Sequence, residues 1–138
     1  MRFKTYREFS QKINVSCETY EKFLIYYDSL CKWQERMNLV STKSLNDAFC
    51  RHFLDSAQLY KFCSNTNGNI LDFGSGAGFP GLVLAIMGLK KVHLVDSNNK
   101  KCIFLKETLK TTDTKACVHN CRIENLPFVN PSFIMSRA

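Results

Sequence analysis

The sequence predicts an α/β fold, a Rossmann-like parallel sheet preceded by an N-terminal helical extension. Three observations carry this. Residues 1–62 contain no glycine and place apolar residues at helical spacing. After SNTNG (Ser64 to Gly68) short apolar runs alternate with helical segments. A glycine loop, LDFGSGAGFPG from Leu71 to Gly81, joins the first of these runs to the helix that follows. Such alternation implies parallel strands covered by helices. The expected division is a helical extension over 1–64 and a partial Rossmann-like core over 65–138, together one compact unit.

The bulk numbers agree. A chain of 138 residues, 45% of them apolar, is one folded domain with a single core. No apolar run approaches the ~18 residues of a membrane span. The N-terminus, MRFKTYREFSQKINV, is charged and lacks the apolar segment of a secretory signal, which points to a cytoplasmic protein. Seven cysteines without a signal argue against a disulfide framework. No C-x-x-C occurs, and Cys117 and Cys121 have no second ligand pair, so no metal is expected and the thiols are read as reduced and mostly buried. Nineteen basic against 12 acidic residues give a net charge of +7, which suits a polyanionic partner as well as a merely solvated surface.

In chain order, Ser16 caps a helix whose face carries Tyr20, Phe23, Leu24, Tyr27, Leu30 and Cys31. A second helix is expected from Ser44, where S-x-x-D resembles a capping box, with Phe49, Phe53, Ala57 and Tyr60 on its apolar side. Asn69–Phe73 reads as the first strand and Pro80–Met87 as a helix closed by Gly88. Lys91–Val95 is the second strand, Asn98–Lys110 a basic helix, Lys115–His119 the third strand and Phe133–Ser136 a fourth.

The glycine loop, with Gly74, Gly76 and Gly78, fits the dinucleotide fingerprint imperfectly, since the last position of G-x-G-x-x-G falls on Phe79. The lysine-bearing phosphate loop is absent as well. Asp72 stands two residues before the first glycine, where a carboxylate repels a pyrophosphate and suits a ligand with an amino group. Asp96 closes the second strand, placed to accept hydrogen bonds from ribose hydroxyls. Together the loop and both acids favour S-adenosyl-L-methionine over NAD. Pro80 suits the first turn of a helix, and Phe79 is either core packing or a wall of the cofactor pocket.

Several separated stretches then resemble one family: GSGAGFPG, VDSNNKKCIFLKE, RHFLDS (Arg51 to Ser56), the NLVS after the long helix, and the terminal SRA. They are similar to the RsmG/GidB family, methyltransferases of small-subunit ribosomal RNA, over nearly the whole chain. The resemblance implies methyl transfer from S-adenosyl-L-methionine to N7 of a guanine in 16S rRNA, in the bacterial cytoplasm. Its implied partner is the rRNA or a ribosomal subunit; no membrane contact is expected, and the protein is expected to be a monomer. It places Gly74 and Phe79 in the cofactor loop and Asp96 at the adenosine. Ile123 and Glu124 flank the adenine, and Arg137 lies beside the cofactor and the incoming RNA. Arg51 and His52 face the same cleft toward the RNA, although His52 fits a packed core histidine equally well. Guanine N7 has a free lone pair and no proton to lose, so positioning suffices and no catalytic residue is named.

NPSF (Asn130 to Phe133) resembles the N-P-P-[YF] loop of enzymes that methylate amino groups, but it lacks the second proline and precedes a strand. A turn is the plainer reading. The resemblance also implies strand order 3-2-1-4 and further elements beyond S-R-A. The sheet is therefore expected to be incomplete at its C-terminus, with Phe133, Ile134 and Met135 on an uncovered edge. The rivals left open are a non-catalytic nucleic-acid- or cofactor-binding remnant and an NAD-dependent oxidoreductase.

Overall fold

The computed structural model describes residues 5–127 and 129–137; Ala138, the end of the S-R-A stretch, lies outside them. The helical part comprises α1 (Tyr6–Ser10), α2 (Cys17–Gln34), α3 (Thr42–Asn46), a π-helical turn (Phe49–Leu54), α4 (Asp55–Ala57) and α5 (Tyr60–Cys63). The sheet part alternates as β1 (Asn69–Phe73), α6 (Gly81–Ile86), β2 (Val92–Asp96), α7 (Asn99–Thr111) and β3 (Cys117–Asn120). A short 3-10 turn (Ile123–Asn125) then leads to β4 (Pro131–Ser136). All four strands are parallel, in the order β3-β2-β1-β4, as the resemblance implies.

β1 is buried on both faces along its centre, as a central parallel strand must be. Ile70 and Asp72 point toward α6, and α2 packs on α6 and α7 from above. One aromatic cluster runs from the helical extension to the glycine loop. Phe49 stacks on Phe53 at 4.8 Å, Phe53 meets Tyr26 at 5.0 Å, and Tyr26 lies flat on Phe79 at 5.1 Å. Each such pair adds about 0.5–1.5 kcal/mol to simple burial. The extension therefore shares its core with the sheet it precedes.

Four expectations change. The buried face of α2 is Tyr20, Phe23, Tyr26 and Leu30, whereas Leu24 is 36% exposed. The helix is turned so that Tyr26, not Leu24, meets the loop beneath. The cap of α3 is Ser41, whose hydroxyl accepts from the Ser44 N–H at 3.1 Å; Asp47 closes the helix rather than boxing its start. Only Cys63 and Cys102 among the seven free thiols are buried. In β4, at the sheet edge, Phe133 and Met135 pack against the core and Ile134 alone of the three is exposed, at 59%. NPSF sits at the start of β4, which favours the turn reading of that tetrapeptide.

Candidate functional site

Parallel strands deliver their carboxyl ends to one side of the sheet, and the crevice there is where open α/β folds take ligands. The loop after β1 forms the floor of that crevice. Gly74, Gly76 and Gly78 all hold positive φ, at 58°, 53° and 95°. Two cavities adjoin it and meet at Gly74. One, of about 300 Å³, is lined by Asp96, Cys121, Ile123 and Glu124 beside Gly74. The other, of about 390 Å³, is lined by Gly74, Gly76 and Phe79 on the loop side and by His52, Lys101 and Arg137 across from it.

Asp96 ends β2 and does two things. Its carboxylate accepts from the Gly76 N–H at 2.9 Å and from the Asn98 N–H at 2.8 Å. Asn98 in turn caps α7 by accepting from the Lys101 N–H at 3.1 Å. A carboxylate offers about four lone-pair sites. Two therefore remain unused among the described residues, and Asp96 lines the cavity.

Asp72 is placed differently from the sequence reading. It is fully buried on the helix side of β1 and lines neither cavity. One carboxyl oxygen accepts from the Gly81 N–H at 2.9 Å, at the start of α6. Burial raises its pKa to about 7. Its role is to hold the loop-to-helix turn from behind, because residue alternation along β1 turns it away from the crevice. Gly78 is also behind the loop, buried against the Tyr26 hydroxyl and Leu82.

The second cavity is built from elements far apart in sequence. The π-helical turn presents His52, which is 7% exposed and stacks on Phe79 at 4.7 Å and 22°. Neither ring nitrogen has a partner among the described residues, and burial, with Arg137 nearby, lowers its pKa to about 4. At neutral pH it is an uncharged ring with one donor and one acceptor. Phe79 is thus both core and wall, clasped between His52 and Tyr26. Arg137, just past β4, donates to the Arg51 carbonyl oxygen at 2.9 Å and lies 3.8 Å from Asp55. Arg51 itself is exposed, pairs with Asp47 at 3.8 Å and does not line the cavity.

Three contributors escaped the sequence reading. Tyr26 donates its hydroxyl proton to the Ala77 carbonyl oxygen and pins the glycine loop from α2. Gln34 clamps the turn that follows α2. Its side-chain oxygen accepts from the Leu39 and Val40 N–H groups at 3.0 and 3.1 Å, while its amide donates to the Val40 carbonyl oxygen at 2.7 Å. That turn walls the second cavity. Lys101 follows from the α7 cap: once Asn98 fixes the helix start, its first turn faces the loop.

A parallel sheet ordered 3-2-1-4, a glycine loop after β1, an acid closing β2 and a crevice at the strand carboxyl ends define a Rossmann-like core with an N-terminal helical extension. The GidB family profile, rRNA small subunit methyltransferase G, matches residues 19–138, and the chain belongs to that family. It is 45% identical over 131 residues to the ribosomal RNA small subunit methyltransferase G of Paramagnetospirillum magneticum, covering 95% of this chain and 64% of that protein. Its identity to the protein of the same name from Rhodospirillum rubrum is also 45%, over 94% of this chain and 65% of the relative. For Rickettsia prowazekii the identity is 38%, over 91% and 65%. The chain thus spans just under two thirds of the length of these relatives. Among solved structures, a Pyrococcus abyssi tRNA (uracil-54, C5)-methyltransferase in complex with S-adenosyl-L-homocysteine matches 59% of this chain and 21% of its own, with TM-score 0.48 and 20% identity. That likeness is too slight to bear on the argument.

Proposed function

We propose that this chain forms the S-adenosyl-L-methionine-binding part of a methyltransferase that modifies N7 of a guanine in small-subunit rRNA. The observation that carries the reading is the meeting of two cavities at Gly74, one with spare carboxylate acceptors and one with cationic and neutral donors. Gly74 fits a bound ligand, because a Cβ built there meets nothing within 4 Å and the space is open cleft rather than packed core. Asp96, Ile123 and Glu124 would hold the nucleoside half. Gly74, Gly76 and Phe79 would hold the amino-acid half, with Arg137 at the boundary with the RNA.

The start of α6 argues against a dinucleotide. In those folds a pyrophosphate takes the free N–H groups at this helix N-terminus. Here Asp72 already accepts from the Gly81 N–H. With its Gly81 N–H taken by a carboxyl oxygen, the helix start lacks one of the donors that a pyrophosphate uses.

Bound S-adenosyl-L-methionine supplies an electrophilic methyl group. The chain's own residues then need only position the base and keep water out. Guanine N7 carries a lone pair and loses no proton, so no general base is required. His52, uncharged and fixed by stacking on Phe79, walls the cavity beside the base without taking a proton. Lys101 and Arg137 supply positive charge for the phosphates around it.

Calorimetric titration tests the reading. The chain is expected to bind S-adenosyl-L-methionine and not NAD, and Asp96→Ala is expected to weaken the former at least tenfold. Binding of NAD in preference would overturn it, and an unchanged affinity in the variant would remove Asp96 from the ribose.

A further inference from the structure

The amino ends of the parallel strands gather on the side opposite the glycine loop. That side is one strand length away, on the order of 15 Å at about 3.3 Å per residue. There Gly88 ends α6, and Leu89 to Lys91 turn the chain into β2. A cleft lies on each side of this turn. The first, of about 520 Å³, is lined by Lys22 from α2, Lys90 and Lys91 from the turn, and Lys115 from the approach to β3. Asp113 is the one acid among its lining residues. The second, of about 440 Å³, shares Lys90 and Lys91 and adds Tyr60, Ser64, Thr66 and Asn67.

Three elements thus bring four lysines to the lining of one cleft. Among the described residues Lys22, Lys90 and Lys115 form no ion pair. Lys91 adopts φ 58°, a conformation glycine or asparagine takes more readily, and its ammonium group donates to the Asn67 carbonyl oxygen at 2.8 Å. Four like charges against one carboxylate repel one another, and a bound polyanion relieves that repulsion. α5, whose Tyr60 lines the second cleft, carries Phe62 two residues on, with 64% of its surface exposed and the Lys61 ammonium group 5.1 Å from its ring centroid. Single-stranded nucleic acid is bound by a positively charged groove that tracks the backbone together with aromatic rings on which bases stack.

We propose that this end of the sheet is a second RNA surface, where Lys22, Lys90, Lys91 and Lys115 hold phosphates and Phe62 stacks a base. The choice of RNA rests on the proposed function; the location does not. The surface lies away from the cofactor crevice, so it adds affinity and register for RNA flanking the target guanine and takes no part in methyl transfer.

The test is fluorescence anisotropy with a labelled single-stranded RNA over a range of KCl concentrations. Lys22→Gln, Lys90→Gln and Lys115→Gln are combined in one variant and Phe62→Ala is made separately. Each phosphate contact contributes about 0.7 to the slope of log affinity against log salt for a single strand, so the triple variant is expected to flatten the slope by about 2. Phe62→Ala is expected to weaken binding at least about fivefold with the slope unchanged. Thermal midpoints matching the unsubstituted chain establish that both variants are folded. An unchanged slope in the folded triple variant overturns the lysine surface, and an unchanged affinity in Phe62→Ala overturns the stacking. Failure of the chain to bind S-adenosyl-L-methionine would overturn the proposed function alone, because the slope is measured without it.

Discussion

Gly74 holds φ at 58°, and a Cβ placed there meets nothing within 4 Å. Gly81 is the opposite case, since its Cβ would lie 2.6 Å from a carboxyl oxygen of Asp72 and 2.9 Å from the Asp72 Cβ. The first glycine serves backbone conformation beside an open cleft, and the second serves the close approach of α6 to β1. Their alanine variants should therefore part company. Gly74→Ala carries only the strain of a left-handed residue, about 1 kcal/mol, and stays folded while losing S-adenosyl-L-methionine affinity. Gly81→Ala overpacks a buried contact, at about 1–3 kcal/mol, and disturbs the hydrogen bond between Asp72 and the helix start. Urea unfolding paired with calorimetric titration separates the two. Equal stability losses in both variants would contradict the assignment.

On the next scale up, α2 does more than cover the sheet. Tyr26 is fully buried, stacks on Phe79 and gives its hydroxyl proton to the Ala77 carbonyl oxygen, 51 residues along the chain. Tyr26→Phe keeps the ring contacts and leaves that carbonyl without its donor. A loss of about 1–2 kcal/mol is expected in urea unfolding, with weaker S-adenosyl-L-methionine binding because the loop is no longer pinned. Full affinity in the variant would show that the loop holds its shape without α2. The helix face that meets the loop was not legible in the sequence. Leu24 and Tyr26 both lie beside plausible apolar stripes, and only the tertiary partner decides between them. The strands were legible to within about two residues because short apolar runs between glycines and polar turns leave few alternatives. The two acids illustrate the boundary. Their positions at β1 and β2 could be read, but which of them faces the crevice depends on strand alternation and on the demand of α6 for a carboxylate. The π-helical turn that presents His52, and the Gln34 clamp on the neighbouring turn, have no local sequence signature at all.

For the molecule as a whole, two buried groups set opposing pH dependences. Burial raises the pKa of Asp72 from 3.8 to about 7. Between those values the folded chain keeps a proton that the unfolded chain releases, so this contribution to stability falls as pH rises. Burial lowers the pKa of His52 from 6.5 to about 4, reinforced by Arg137 and Arg51 and opposed by Asp55 and Asp47. Between pH 4 and 6.5 the unfolded chain binds the proton and the folded chain does not, so this contribution rises with pH. At about 1.4 kcal/mol per unit, the full swings are on the order of 4 kcal/mol for Asp72 and 3 kcal/mol for His52. They nearly cancel over the shared window in the unsubstituted chain. Removing one exposes the other. Asp72→Asn retains an oxygen to accept from the Gly81 N–H and cannot titrate, so its stability in urea should climb by about 3 kcal/mol from pH 4 to 6.5. His52→Gln leaves Asp72 unopposed, and its stability should fall by a similar amount over the same range. Parallel pH profiles for the two variants would show that neither group is desolvated as the packing of β1 and the Phe79–His52 stack require. The opposite slopes would locate both titrations on either side of one glycine loop.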